Sequence, residues 1–302
     1  MNRRRYPDFV FAGAARSGST AVVESLRRRD EVFVTQPKEP HYLALADSGA
    51  DFTGPGDDLT INAKAVTDEA AYEELFRGAP SGALTGEGSV STLYYSAQAA
   101  PRLKSLNPDV RVVVVLREPV ARAYSSHQYL VNRGFEPEPD FLAAVALEEE
   151  RISAGWHHLW HYTAMSRYAD DVARLLDHFP STRVWWYDEL MRDEESTLAE
   201  IHEFIGLSRP TSQLSVGRVN ASGAPRRPWL QAAMQVASRS AALRRVVKAV
   251  VPFDARERLR GSNLAVNDVP PDVRRALAPH FAADLDRLAS VLGRPVPAAW
   301  RP

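Results

Sequence analysis

Three groups of residues in this chain could do chemistry by type and spacing. The first is Arg16-Ser-Gly-Ser-Thr20, which follows the apolar run Phe9-Val-Phe11 and Gly13 and opens Ala21-Val-Val-Glu-Ser-Leu-Arg27. Ala14, Ala15, Ser17, Gly18 and Ser19 have little side-chain bulk, so backbone N–H groups can face one concavity. A helix N-terminus behind such a turn favours an anion. The second group is Arg117, at the end of Arg111-Val-Val-Val-Val-Leu116, with Ser125 on the segment that follows. Arginine's planar fork suits phosphate oxygens, and serine adds a neutral donor. The third is Lys38-Glu-Pro-His-Tyr42, where the Glu39 carboxylate or the His41 imidazole can take a proton from an attacking group within reach.

These residues need strands and helices to hold them. The short apolar run at 9–11, stopped by Gly13, predicts a buried central parallel strand, and Thr20 onwards has apolar residues at helical spacing. Further strands are predicted at 31–35, from 83, at 111–116 and at 183–187. Helices are predicted at 67–77, capped by Thr67 or Asp68, at 96–106, and from Pro119 to about 132. Others are predicted at 140–179, broken near Gly155, and at 195–205, 229–249 and 271–292. Residues 47–60, rich in Gly, Asp and Pro, read as a surface loop. Strands alternating with helices predict an α/β three-layer sandwich around a parallel sheet. The chain reads as one domain, 1–302, with a nucleotide-binding core at about 8–210 and a helical C-terminal portion at about 228–302.

Composition narrows the classes. The 302 residues carry a formal net charge of -1, which offers no global positive field to a nucleic acid. The absence of cysteine excludes disulfides, cysteine zinc sites and thiol catalysis. No apolar run reaches the ~18 residues of a membrane span, so a soluble, cytoplasmic protein without membrane insertion is expected. Trp156, His157, His158, Trp160 and His161 suggest a helix surface or the wall of an acceptor pocket, because no carboxylate nearby in sequence completes a metal site. Arg239–Lys248 reads as a solvated helix face. The pattern Gly13 to Gly18 also fits a P-loop, with Ser19 where the phosphate lysine belongs. A P-loop kinase or NTPase, and a nucleotide-binding interaction protein without turnover, therefore stay open on the residues alone.

The strand, the loop Arg16–Thr20 and the helix together resemble the 5'-phosphosulfate loop of sulfotransferases that use 3'-phosphoadenosine 5'-phosphosulfate (PAPS), with arginine in the place usually held by lysine. Val113–Ser126 is similar to that family's 3'-phosphate motif, which implies Arg117 and Ser125 as the 3'-phosphate ligands. Lys38–Tyr42 resembles a segment of the glycan branch, to which heparan sulfate sulfotransferases belong. The resemblance makes Glu39 the general base and leaves His41 as its rival. Gly86-Glu-Gly-Ser89 resembles another segment of that branch, but Gly88 stands where a lysine holds acidic sugar chains, which argues against a heparan-like acceptor. Tyr187-Asp-Glu-Leu190 is similar to an element whose tyrosine lies near the adenine, though core packing explains Tyr187 equally well. Arg218–Arg227, with Asn220, falls at the family's late phosphate-binding loop, which implies Arg226 or Arg227. The resemblance thus implies PAPS as cofactor, 3'-phosphoadenosine 5'-phosphate as product and no metal. It implies Arg16, Ser17, Gly18, Ser19 and Thr20 around the phosphosulfate, with an electrostatic role for Arg16 at the leaving phosphate. The acceptor is then a hydroxyl or amine of a glycan or small molecule, and the lack of an anchor points to a soluble bacterial-type member.

Overall fold

The computed structural model describes residues 6–208 and 268–301. Five strands form one parallel sheet: β1 (Phe9–Gly13), β2 (Val32–Val34), β3 (Leu84–Glu87), β4 (Arg111–Leu116) and β5 (Thr182–Trp186), in the order β2-β3-β1-β4-β5. The order explains why 9–13 is wholly buried: β1 lies in the middle, with Val10 opposite Glu87 on one side and Val112 on the other. Gly86 is needed in β3 because the Phe9 ring crosses it. A Cβ there would lie 2.2 Å from Phe9 Cζ.

The two-residue period of the strands divides the core. Val10, Ala12, Val112, Val114, Leu116, Val184 and Trp186 face one helical layer, while Phe9, Phe11, Val113, Val115 and Trp185 face the other. The helices are α1 (Ser19–Arg27), α2 (Tyr42–Leu45), α3 (Glu69–Glu74), α4 (Ser91–Tyr94), α5 (Ser96–Leu106) and α6 (Pro119–Arg133). They continue with α7 (Phe141–Ala146), α8 (Glu148–Ser153), α9 (Ala169–His178), α10 (Tyr187–Arg192), α11 (Glu194–Phe204), α12 (Pro271–Leu277) and α13 (Ala282–Leu292). Val22, Leu26, Leu198 and Ile201 of α1 and α11 cover the second face. Leu103, Val172, Leu175, Leu277 and Leu285 join the cluster on the first face. Helices α12 and α13 are tied to the core by Asp284, which accepts from Tyr168 N (2.9 Å) and Ala169 N (3.2 Å) at the start of α9.

The sheet order also places the site. From β1 the chain crosses to β2, and from β4 it goes to β5 at the opposite edge. Strands β1 and β4 are therefore the neighbours whose connections diverge, and an open α/β sheet binds ligands in the crevice at that point.

The predicted layers agree with the structure, and so do 96–106 and 111–116 to the residue. Helix α3 starts at Glu69 because Asp68 caps it, accepting from Ala71 N at 2.8 Å, and it ends at Glu74, short of the predicted 77. Tyr187 leaves the strand and opens α10, because the Glu189 carboxylate folds back to accept from Trp186 N at 3.1 Å. The stretch 140–179 is broken in more places than Gly155, with short 3₁₀ turns at His158–Trp160 and Ala164–Ser166. The loop 47–60 is not all surface. Asp57 is fully buried, held by Gly54 N (2.9 Å) and by His157 Nδ1 at 2.5 Å. The predicted helix at 229–249 and the basic stretch Arg239–Lys248 lie outside the described residues, as do Arg218, Asn220, Arg226 and Arg227.

Candidate active site

The loop after β1 is anchored by Ala14 N, which donates to Val115 O of β4 at 2.8 Å. It turns through two left-handed residues, Arg16 (φ 67°) and Gly18 (φ 86°), before α1 begins at Ser19. Glycine is required at 18, where a Cβ would be strained and would meet Leu190 Cδ2 at 2.6 Å. No side chain caps α1, so its first-turn N–H groups present their partial charge at the loop. Ser17 is fully buried here, and its hydroxyl has no partner among the described residues.

Strand β4 delivers the second cation group. Arg117 Nη1 donates to Arg16 O at 3.1 Å, and its guanidinium lies 4.8 Å from the centre of the Tyr187 ring. Helix α6 starts at Pro119, with Glu118 capping it by accepting from Val120 N and Ala121 N. The Arg16 side chain leaves its own loop and runs to this helix: Nε donates to Ser125 Oγ at 3.4 Å, and Cζ lies 4.5 Å over Tyr129. Arg133 covers Tyr129 as well, at 4.6 Å. Burial lowers the Arg16 pKa to about 10, with Tyr129 opposing and Arg117 and Arg133 adding to the shift, so it stays charged at neutral pH. Thus Arg16, Arg117, Ser125 and Tyr187 lie together at the ends of β1, β4 and β5. Tyr129 and Arg133 were missed, although Ser125, Tyr129 and Arg133 are four residues apart and so share one face of α6.

The segment after β2 forms the opposite wall. Lys38 Nζ lies 2.7 Å from Glu39 Oε1 and donates to Ser19 Oγ at 3.2 Å. His41, in the left-handed region at φ 59°, donates its N–H to Ser89 Oγ (3.0 Å) and sets Nδ1 2.9 Å from Ser91 Oγ. Its Nε2 faces Glu39 Oε2 at 4.0 Å. The Glu39 side chain keeps 28% of its surface exposed, enough to meet an acceptor. Desolvation works to raise the Glu39 pKa, but the Lys38 ammonium, the His41 ring and the hydrogen bond from Lys38 outweigh it and hold the carboxyl below its ordinary value. Burial pushes His41 down to about 4, with Glu39 opposing, so its ring is neutral at working pH.

Behind this wall lie the clustered imidazoles. His158 is buried and sits 5.9 Å from His41, ring centre to ring centre, and 5.2 Å from His157. His161 lies between Tyr94 Oη (2.9 Å) and Trp156 O (3.0 Å). The cluster is therefore an interior layer beneath the site rather than a helix surface, and the chain fold supplies a carboxylate, Asp57, that local sequence does not. Among the described residues no group of three or more His, Cys, Asp or Glu is placed to hold a metal.

Glu87, at the end of β3, is fully buried; Oε2 accepts from Ser89 N at 3.1 Å, while Oε1 has no partner among the described residues. Burial, against the hydrogen bonds from Ser89, pushes it up to about 7. The folded state then binds a proton between about pH 4.5 and about pH 7 that the unfolded chain releases. Stability should fall as pH rises across that window, by at most about 3 kcal/mol. Glu87→Gln should flatten this part of the melting-temperature profile, and an unchanged slope would exclude Glu87 as its source.

The family model described as the sulfotransferase domain matches residues 88–218. Mouse heparan sulfate glucosamine 3-O-sulfotransferase 6 is 25% identical over 211 residues, covering 68% of this chain and 54% of that protein. Human heparan sulfate glucosamine 3-O-sulfotransferase 3B1 is likewise 25% identical over 211 residues, covering 68% and 47%. The chain thus spans about half the length of these curated relatives. The crystal structure of a sulfotransferase from Alicyclobacillus acidocaldarius superposes with a TM-score of 0.76 at 28% identity, covering 99% of this chain and 100% of that one. A parallel sheet whose loops bring Arg16, Arg117 and Ser125 together at its divergence point, and these likenesses in sequence and structure, lead to one conclusion: residues 88–218 match the sulfotransferase domain, and the chain has the fold of a bacterial sulfotransferase.

Proposed function

We propose that this protein transfers the sulfuryl group of PAPS to a hydroxyl or amine of a glycan or small-molecule acceptor. One observation carries the reading. The loop after β1 and the arginine ending β4 meet at the divergence point of the sheet, linked by Arg117 Nη1 to Arg16 O and by Arg16 Nε to Ser125 Oγ. Two anion sites so joined suit one ligand with two separated phosphate groups.

The residues fit such a nucleotide. The orphaned Ser17 hydroxyl, the first turn of α1 and Ser19 offer donors at the 5' end, and Arg117 with Ser125 offers them at the 3' end. Tyr187, against Arg117, is the candidate for the base, and Arg226 or Arg227 is proposed to complete the phosphate contacts. PAPS supplies an activated sulfuryl group: the bond from sulfur to the bridging oxygen breaks as the acceptor's heteroatom bonds to sulfur. The acceptor's proton goes to Glu39. His41, held neutral and fixed by Ser89 and Ser91, steadies that carboxylate rather than competing for the proton. Two fixed cations at the phosphates make a metal unnecessary in this scheme.

A sugar hydroxyl is the acceptor favoured by the Lys38–Tyr42 segment, and Gly88 directs the choice away from a highly acidic glycan. The end-to-end likeness to a bacterial sulfotransferase supports a bacterial-type enzyme acting in the cytoplasm. Among the described residues no helix is long and apolar enough to cross a membrane. Calorimetric titration in metal-free buffer should show micromolar binding of 3'-phosphoadenosine 5'-phosphate and much weaker binding of ATP and 5'-AMP. Preferential, Mg2+-dependent binding of ATP would replace this reading with a P-loop phosphotransferase.

A further inference from the structure

Segment 52–66 is a built wall beside the candidate base. Its inner anchor is Asp57: Oδ1 lies 2.5 Å from His157 Nδ1, and Oδ2 accepts from Gly54 N (2.9 Å) and His157 N (3.3 Å). Thr53 joins the same neighbour, its N donating to Gly155 O at 3.1 Å and its Oγ1 to Ala154 O at 2.6 Å. Asn62 closes the segment on itself, with Oδ1 accepting from Phe52 N (3.2 Å) and Nδ2 donating to Phe52 O (2.8 Å). Ile61 is buried with Ala44 and Leu45 of α2, and Phe52, Ala65 and Tyr95 pack around them. Val66 N then donates to Pro40 O at 2.8 Å, and Pro40 stands between Glu39 and His41. The wall is thereby tied to 154–157 at one end and to the base-bearing segment at the other.

Lys64 is the charge this wall presents. It lies in the turn from Ile61 to Ala65, where Lys64 N and Ala65 N both donate to Ile61 O (3.1 and 2.8 Å), and it is exposed while Ile61 is buried. The bond to Pro40 comes two residues later, so its flexible stem starts close to Glu39. The Lys64 charge acts on both neighbours, favouring the Glu39 carboxylate and disfavouring a protonated His41. Glu39 already has Lys38 as counter-ion at 2.7 Å, and among the described residues no carboxylate pairs with Lys64. The base side of the crevice therefore carries one positive charge more than Glu39 balances.

We infer that Lys64 is an acceptor-binding residue that pairs with an anionic group, and that the acceptor is a hydroxyl compound carrying a single carboxylate or similar anion near the group that receives sulfate. This rests on the sulfotransferase reading above. Arg117 and Ser125 stand on β4 and α6 at the nucleotide, whereas Lys64 comes from the wall bonded to Pro40. An anion brought beside Glu39 meets repulsion from that carboxylate, which Lys38 and Lys64 together offset. A neutral acceptor gains nothing from the second ammonium, so affinity discriminates on charge. One lysine matches one anion, in agreement with Gly88 directing the choice away from a highly acidic glycan.

The test uses the protein saturated with 3'-phosphoadenosine 5'-phosphate and two matched pairs of probes: D-galacturonate against D-galactose, and p-hydroxybenzoate against p-hydroxybenzyl alcohol. In calorimetric titration at least one anion should bind about tenfold or more tightly than its neutral partner. Lys64→Met should bring that pair within about twofold, while the bisphosphate affinity and the melting temperature stay those of the parent. Lys64→Arg, which keeps the charge, should retain most of the preference. A lysine that only tunes Glu39 would leave the binding preference untouched. Equal affinity within both pairs, no measurable binding of either anion, or a preference that survives Lys64→Met would overturn the assignment and leave the sulfotransferase reading intact. A parent protein that fails to bind the bisphosphate would overturn that reading instead.

Discussion

Glu39→Gln should lower turnover by about 100-fold or more while 3'-phosphoadenosine 5'-phosphate binds as tightly as to the parent protein. The substitution keeps the size of the side chain and its partial exposure. It removes the one group here that combines an accessible position, a negative charge at working pH and a place between Lys38 and His41. A carboxylate held below its ordinary pKa is a weak base in the free protein, so the loss appears in the chemical step rather than in nucleotide affinity. Single-turnover rates together with calorimetry separate the two. His41→Asn should cost less, because a ring with a pKa near 4 is a poor proton acceptor, and its contacts to Ser89 and Ser91 are structural. Full activity in Glu39→Gln together with an inactive His41→Asn would transfer the base role to the imidazole.

Arg117→Ala should weaken the same bisphosphate by about 100-fold or more, the largest binding loss expected of any single residue here. Arg117 ends the central strand β4, supports the loop by its bond to Arg16 O, and stacks on Tyr187. Its removal takes away a ligand charge and loosens the turn that shapes the other anion site. Arg117→Lys should recover only part of the affinity, since a point charge cannot donate to the loop carbonyl and a phosphate in the fork geometry of a guanidinium. Ser125→Ala should cost about tenfold, the scale of one hydrogen bond to a charged group. A change of less than about threefold in Arg117→Ala, in a protein that melts like the parent, would remove Arg117 from the nucleotide site.

Some of this site was open to a reader of the residues alone. Gly13 stopping an apolar run, small residues through 14–19, Pro119 beside Glu118, and the β-branched run 111–116 are all local features. Neighbours in sequence impose them through φ limits, helix capping and strand period, so they survive without knowledge of the fold. The charged groups Arg16, Glu39 and Arg117 could be named for the same reason: their chemistry lies in the side chain and its immediate motif.

Direction and partnership are another matter. Arg16 meets Ser125, Asp57 meets His157 and Lys38 meets Ser19 because the sheet runs β2-β3-β1-β4-β5, which brings separate loops to one crevice. Nothing in the residues at 23 or 88 reveals that the bare backbone of one lies against the side chain of the other, where a Cβ at 88 would come within 2.9 Å of Val23 Cγ2. Burial obeys the same rule: His158 and Glu87 are polar in sequence, and only the packing of distant segments takes them out of water. The sequence by itself determined which elements form and which residue types are available for two phosphates and a proton. The tertiary structure decided which of those side chains meet, because that depends on distances between segments remote in the chain, which strand order and side-chain packing set.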